Sequence, residues 1–146
     1  MKKPARTSYL IRQAQLITFV HVTNCLREYR ITPMQYTLLS FSRRNGDLSS
    51  ADLARRFGIT PQSMNEAIST LQRKRLVSRK EAAEHRRIQR ISLTPEGSKL
   101  LKQCDRKIDA MEKKLFLALS PEEIEALRTT LRKFIGSIRG TDKVYA

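Results

Sequence analysis

The stretch from residue 48 to residue 94 constrains the fold most, because it contains two helix signals separated by a tight turn. Ser49 begins the first helix and Gly58 ends it, since glycine takes the left-handed conformation that closes a helix without a steric penalty. Thr60 then supplies a side-chain oxygen that caps a second helix, and Pro61 stands at its first position, where a missing N–H costs nothing. The sequence therefore predicts a helix-turn-helix unit.

The second helix, predicted over residues 61–74, has one apolar and one polar face. Its apolar residues follow i, i+3, i+4, i+7 spacing and form the inward stripe Met64, Ala67, Ile68 and Leu71. Short polar side chains and an arginine lie opposite, a combination that suits contacts with base edges and phosphates. Together with the cap, the candidate DNA-contacting residues are Thr60, Gln62, Ser63, Asn65, Glu66, Ser69, Thr70 and Arg73.

A basic β-hairpin is predicted directly after this helix. Residues 76–79 and 88–93 have the composition of two strands, with a charged loop between them. From Leu71 to Arg90 there are eight Lys or Arg residues against two acids. A charge run alone is more often a solvated face, but its position after such a helix favours contacts with the DNA backbone. The candidate wing residues are His85, Arg86 and Arg87.

The net charge of the chain indicates a polyanionic partner. The 146 residues include 29 Lys plus Arg against 14 Asp plus Glu, which gives a formal charge of +15 and a pI near 10.5. Such a surface attracts nucleic acid or an anionic membrane. The membrane alternative is weak because no apolar run approaches the length of a bilayer span. Without a signal peptide, a cytoplasmic location is expected.

Long apolar helices are predicted on both sides of the central unit. One covers residues 8–29 after a basic leader, and Thr32 starts another that ends near residues 45–46. Thr94 starts a helix to about residue 118, and the capping-box spacing of Ser120 and Glu123 starts one to about residue 138. The small centre cannot cover their apolar surface, so a two-fold dimerisation layer is expected. The alternative is that these helices fold back on their own domain.

The predicted fold is therefore mainly α with a small β wing, a winged helix-turn-helix flanked by long N- and C-terminal dimerisation helices. Residues 1–31 are predicted to form the N-terminal dimerisation helix, residues 32–94 the winged helix-turn-helix region, and residues 95–146 the C-terminal dimerisation helices. The length suits a single compact domain with a real core.

The sequence gives no support for a catalytic or metal site. His21 and His85 are far apart in the chain, and no phosphate-cradling glycine loop or nucleophile elbow is present. Cys25 and Cys104 form neither a CxxC pair nor a metal-ligand spacing, so reduced thiols are expected. We expect no enzyme activity, no cofactor and no metal.

The chain resembles the multiple antibiotic resistance regulator (MarR) family of bacterial transcription factors in the segments ITPMQYTLLS, SSADLARRFGIT, LQRKRLVSR and HRRIQRISLTPEG. The resemblance covers about Thr32 to Leu101, and its most specific signal is LTPEG after a basic wing. It implies a homodimer on double-stranded, pseudo-palindromic operator DNA, with helix 61–74 in the major groove and each wing in the minor groove. It also implies a repressor released by a small effector, often a phenolic or aromatic acid, whereas a few members sense oxidants through cysteine.

Three positions depart from the family pattern. At the wing tip the family usually has Asp-x-Arg, where this chain has His85 with Glu84 beside it. Glu66 stands where many members have a basic residue; its carboxylate either accepts from a cytosine amino group or orients a nearby Arg or Asn. Arg75 stands where the family prefers glycine, so a left-handed backbone there would be strained by about 1 kcal/mol, unless the helix end is reshaped.

His21 and Tyr36 are the candidate polar groups of an effector pocket, which the family places between the first two helices and the domain junction. A lone histidine on an apolar helix is more often a packed residue. Cys25 on the same helix admits a redox-sensing version of the regulator, although no neighbour in sequence would stabilise its thiolate. The favoured function is a sequence-specific, ligand-responsive repressor. The alternative is a general nucleic-acid-binding or architectural protein without base readout.

Overall fold

Helices and strands follow one another in the predicted order, with one additional strand. This computed structural model describes residues 4–45, 48–82 and 85–139. Within them, the helices are α1 (Thr7–Leu26), α2 (Pro33–Asn45), α3 (Ser50–Phe57), α4 (Pro61–Arg73), α5 (Pro95–Leu115) and α6 (Pro121–Arg139), and the strands are β1 (Leu48–Ser49), β2 (Val77–Ala82) and β3 (His85–Leu93). A 3-10 turn, Arg27–Tyr29, follows α1. None of these helices is long and apolar enough to cross a membrane.

Side-chain oxygens cap the helices where the sequence predicts them. Thr60 Oγ1 accepts a hydrogen bond from the Ser63 amide at 3.1 Å, and Thr94 Oγ1 accepts one from the Gly97 amide at 3.0 Å. The predicted capping box of residues 120–123 has both of its hydrogen bonds, at 2.8 and 3.2 Å. Because each cap satisfies amides that have no partner within the helix, local chemistry fixes where these elements begin.

Several boundaries differ from the predicted ones. The wing strands are longer, since β2 extends to Ala82 and β3 starts at His85, so most of the predicted charged loop is strand. Pairing with the neighbouring strand overrides the low strand propensity of these charged residues. Helix α1 begins at Thr7, within the predicted leader, and ends at Leu26 rather than residue 29. Helix α5 ends at Leu115 rather than residue 118.

Strand β1 is the element that the sequence analysis does not predict. The sheet order is β1-β3-β2, and Leu48 and Ser49 pair antiparallel with Ile91 and Arg90. Two residues are too few to show alternation. Ser49 also caps α3, because its Oγ accepts the Asp52 amide at 3.1 Å. The strand therefore connects the start of the helix-turn-helix to the wing.

Buried residues from α1 to α5 and from the sheet form one core. The predicted inward stripe of α4 belongs to it, and all four of its side chains, Met64, Ala67, Ile68 and Leu71, are at most 8% exposed. Among the described residues, no side chain of α6 belongs to this buried cluster. Large apolar side chains of α1 and α6 remain exposed instead, whereas Leu26 of α1 and the buried residues of α5 belong to the core, so the terminal helices cover their own domain only in part.

Gly97 explains why the segment LTPEG has a glycine. A Cβ atom at this position would lie 2.0 Å from the carbonyl oxygen of Leu76, which no packed structure tolerates. The same carbonyl oxygen accepts a hydrogen bond from the Thr94 amide at 3.1 Å. The first turn of α5 therefore packs directly on the backbone that joins α4 to the wing, and only a residue without a side chain allows this approach.

We expect Gly97→Ala to lower the free energy of unfolding by about 3 kcal/mol, because the added methyl group must displace the backbone of Leu76. Urea unfolding at a fixed protein concentration measures the change. Gly136→Ala on α6 is the matched control, since a Cβ there meets nothing within 4 Å and helix propensity favours alanine by up to about 1 kcal/mol. Equal stability of the two variants would contradict the packing argument.

Candidate nucleic-acid interface

The outward side of α4 presents a polar face opposite the buried stripe. Thr60 at the N-cap is exposed, as are five of the other seven predicted residues, while Ser69 and Thr70 are half-buried. We define the polar face as Gln62, Ser63, Asn65, Glu66, Ser69, Thr70 and Arg73. Six of these residues, all except Ser63, line one open surface depression. The structure thus brings six of the eight residues predicted at α4 to contact DNA together on one accessible surface.

Hydrogen bonds within the helix hold part of the polar face in place. The Thr70 hydroxyl donates to the carbonyl oxygen of Glu66 at 3.0 Å, and Arg73 Nη2 donates to Thr70 Oγ1 at 3.2 Å. At the other end, the Thr60 hydroxyl donates to Ser63 Oγ at 3.0 Å. Side chains held in this way lose less conformational freedom when they meet a ligand.

Arg79 of β2 contacts the polar face of α4 and is absent from the predicted site. Its Nη2 donates to the carbonyl oxygen of Asn65 at 3.2 Å and to Ser69 Oγ at 3.3 Å. One sequence signal could have found it: alternation along a strand places Arg79 on the same side as the buried Val77, facing the domain. Arg79 therefore fixes the wing strand against α4, and it gives Ser69 a protein partner in addition to its predicted DNA partner.

The backbone at Arg75, directly after α4, has the left-handed conformation implied by the family's preference for glycine at this position. Arg75 has φ 58°, its amide donates to the carbonyl oxygen of Gln72 at 2.9 Å, and the Leu76 amide donates to the carbonyl oxygen of Leu71 at 3.0 Å. These two bonds are those of a Schellman motif, in which glycine is the usual left-handed residue. The alternative of a reshaped helix end is therefore wrong, and Arg75 carries the strain of a Cβ in this conformation.

The wing has an irregular register near its tip. Glu81 pairs with Gln89, whereas Ala82 pairs with His85, so the register shifts between Glu81 and Ala82. Residues 86–88 lie within this shift, which is typical of a β-bulge. The structure describes the backbone of the predicted wing residues 85–87 as strand; their side chains and the whole of Glu84 lie outside the described part of the chain.

The family model described as "MarR family" matches residues 31–88, which span α2, the helix-turn-helix, β2 and the first part of β3. The match covers less than half of the chain and places its similarity to the MarR family in this central region. Escherichia coli MarR in its apo form is similar, with 19% identity, a TM-score of 0.79, and coverage of 90% of this chain and 98% of that chain.

Two further similar structures were solved with a bound molecule. The transcriptional repressor CouR, bound to a 23-mer DNA duplex, has a TM-score of 0.82 and 22% identity, and the match covers 89% of this chain and 92% of that chain. A MarR-family protein of Mycobacterium tuberculosis, in complex with p-aminosalicylic acid, has a TM-score of 0.74 and 25% identity, with coverage of 89% and 98%. The MarR fold therefore extends over nearly the whole of this chain.

The two candidate effector residues have different surroundings in this chain. His21 is exposed on α1. Tyr36 is half-buried on α2, and its hydroxyl donates to Asp105 Oδ1 of α5 at 2.7 Å, while Arg43 Nη1 lies 2.5 Å from Asp105 Oδ2. Burial first, and the bond to Asp105 second, raise the pKa of Tyr36 well above its usual value. The phenol is therefore neutral, and the assignment of both residues to an effector pocket stays a prediction.

The cysteines differ in accessibility. Cys25 is half-buried on α1, and Cys104 is fully buried on α5. Burial, followed by the charge of Asp105, raises the pKa of the Cys104 thiol to about 11. Because the thiolate is the reactive form, burial and the raised pKa both lower the reactivity of the Cys104 thiol at neutral pH.

We expect Arg75→Gly to raise the free energy of unfolding by about 1 kcal/mol, because glycine removes the steric cost of the left-handed conformation. Thermal or urea unfolding measures the gain. Arg75→Ala is the control that removes the charge but keeps a Cβ, and it should not stabilise the protein. A similar gain in both variants would assign the effect to charge rather than to backbone conformation.

We expect Arg79→Ala to lower the free energy of unfolding by about 1–2 kcal/mol, since the carbonyl oxygen of Asn65 and the hydroxyl of Ser69 both lose a donor. Arg79→Lys should recover only part of this loss, because an ammonium group lacks the planar fork of a guanidinium. Lys80→Ala, at the exposed next position of β2, is the control and should have little effect. An equal loss of unfolding free energy in Arg79→Ala and Lys80→Ala would contradict a stabilising contact between Arg79 and α4.

Proposed function

We propose that the protein is a homodimeric transcription repressor that binds a specific, pseudo-palindromic DNA operator and is released by a small-molecule effector. The observation that carries this proposal is the exposed polar face of α4, which directly precedes a basic wing. An α-helix fits the major groove, where short polar side chains and arginine can distinguish base pairs.

The charge distribution supports DNA as the partner. The excess of six cations between Leu71 and Arg90 lies on the segment that follows the polar face, and the whole chain has a formal charge of +15. Phosphate neutralisation by such residues releases counterions and supplies much of the affinity. The first turn of α4 contains no acidic residue, so the positive end of its dipole is available to a phosphate.

Exposed apolar surface on the terminal helices supports a dimer. On these two helices, the large apolar side chains that are more than a third exposed are Tyr9, Leu10, Ile11, Leu16, Ile17, Phe19 and Val20 of α1, and Leu127, Leu131, Phe134, Ile135 and Ile138 of α6. A stable monomer rarely exposes this much contiguous apolar surface. We propose residues 1–31 and 95–146 as the dimerisation layer around the winged helix-turn-helix of residues 32–94. Two-fold symmetry would then present two α4 helices to two half-sites.

An effector site is proposed near the junction of α1, α2 and α5. The M. tuberculosis relative in complex with p-aminosalicylic acid, and the same protein in complex with salicylic acid, support an aromatic acid as the class of effector. We propose His21 and Tyr36 as its polar contacts. The link from Tyr36 to Asp105 would connect such a site to the helix-turn-helix, because α2 also packs on the sheet.

The experiment compares binding to DNA upstream of the protein's own gene with binding to bulk competitor DNA, at about 50 and 200 mM salt. A specific repressor should prefer the upstream fragment by at least about 1,000-fold, and its affinity should fall steeply with salt. Added salicylate should weaken specific binding if an aromatic acid is the effector. A specificity ratio near one would replace this proposal with general nucleic-acid binding.

Two substitutions assign the parts of the interface in the same assay. Arg87→Ala should weaken binding to every sequence and reduce the salt slope by about one, as expected for a phosphate contact. Asn65→Ala should cost about 1–3 kcal/mol on the preferred site and little elsewhere. Lys102→Ala, an exposed cation of α5, is the charge control. Equal effects of Asn65→Ala on all DNA would exclude α4 as the base-reading helix.

A further inference from the structure

Glu66 is an acidic residue in the middle of a basic surface. It is the only acid between Thr60 and Lys80, a segment that also contains five Lys or Arg residues. Its side chain is exposed near the centre of the polar face and lines the surface depression of α4. Any DNA that enters the depression must therefore accommodate a carboxylate.

The carboxylate of Glu66 is available to a ligand. The helix neighbours at i±3 and i±4 are Gln62, Ser63, Ser69 and Thr70, none of which is cationic. Arg73, the cation on the same helix face, donates to Thr70 Oγ1, and Arg79 Nη2 donates to the carbonyl oxygen of Asn65 and to Ser69 Oγ. Across residues 4–45, 48–82 and 85–139, no hydrogen bond or ion pair of the Glu66 side chain is present. The alternative in which Glu66 orients an Arg or Asn has no contact to support it.

The edges of the four bases differ in what they offer a carboxylate. In the major groove, guanine presents two acceptors, thymine presents an acceptor and a methyl group, and adenine presents a donor beside the N7 acceptor. Cytosine alone presents its N4 amino donor without an acceptor on the same base edge. A group that can only accept hydrogen bonds is therefore repelled by guanine and thymine, is poorly matched to adenine, and is matched by cytosine.

We infer that Glu66 is a specificity-determining residue that accepts a hydrogen bond from a cytosine amino group in each half-site and disfavours every other DNA. This inference rests on the proposed function, because it assumes that α4 enters the major groove. The second effect follows from charge alone: a carboxylate on the polar face repels phosphates in non-specific complexes, where no amino group compensates it. Glu66 thus lowers non-specific affinity and raises the ratio of specific to non-specific binding.

The experiment selects bound sequences from a library of duplexes with a randomised 30-base-pair region. The proteins are the wild type, Glu66→Gln, Glu66→Ala and the control Asp109→Asn, which removes a carboxylate from an exposed position of α5. Wild type and Asp109→Asn should select the same sequences, with a fixed C·G pair in each half-site. Both Glu66 variants should lose the preference at that pair and keep the rest of the sequence.

Affinity measurements on the selected duplex quantify the effect. Replacing the C·G pair by T·A should weaken wild-type binding by about tenfold, and Glu66→Ala binding far less, as expected for loss of one base contact. Glu66→Gln and Glu66→Ala should bind a scrambled duplex about two- to fivefold more tightly than wild type. Asp109→Asn should reproduce the wild-type response to the base change and should not share the gain on scrambled DNA.

The outcomes separate this inference from the proposed function. If the wild type selects no common sequence, the proposed function fails. If the wild type selects one and both Glu66 variants select the same one with an unchanged preference at every position, Glu66 is not a reader and the inference fails while the proposed function stands. An unchanged affinity of both variants for scrambled DNA would remove the repulsive part of the inference.

Discussion

The carbonyl group of Leu76 makes the contact on which the arrangement of the domain depends. It accepts the Thr94 amide and lies where a Cβ of Gly97 would be. One residue earlier, Arg75 ends α4 in the left-handed conformation, and its carbonyl oxygen accepts the Thr94 hydroxyl at 2.6 Å. Because α4 ends and β2 and α5 begin near this point, backbone contacts set the orientation of all three.

Elements whose ends are encoded by neighbouring residues were predictable from the sequence. The caps at Thr60, Thr94 and Ser120 and the left-handed Gly58 each depend on contacts within a few residues, and the structure confirms them. The wing boundaries and β1 were not predictable in this way. Their strands depend on partners far along the chain, so neither charge nor alternation over two residues at β1 indicates the pairing.

The candidate site likewise has residues that local sequence predicts and residues that depend on distant partners. The exposed residues of the polar face follow from helical periodicity, which requires only the sequence of α4. Arg79 and Asp105 could not be assigned in full, because their partners lie 10 to 69 residues away. For Arg75, the sequence predicts strain only if the backbone there is left-handed. The structure shows this left-handed backbone, with φ 58°. What sequence reasoning lacked was contact between distant elements.

The carboxylate of Asp105 on α5 binds two side chains of α2. Tyr36 and Arg43 are seven residues apart, which corresponds to about 10 Å along α2. The two oxygens of the Asp105 carboxylate therefore contact positions about two helical turns apart on α2. Both contacts converge on one side chain of α5, so they fix the position of α2 along α5 at the level of Asp105. Since the pKa of Tyr36 is raised, its phenol keeps its proton throughout the neutral range. The Tyr36 hydroxyl therefore remains a hydrogen-bond donor to Asp105 over this range.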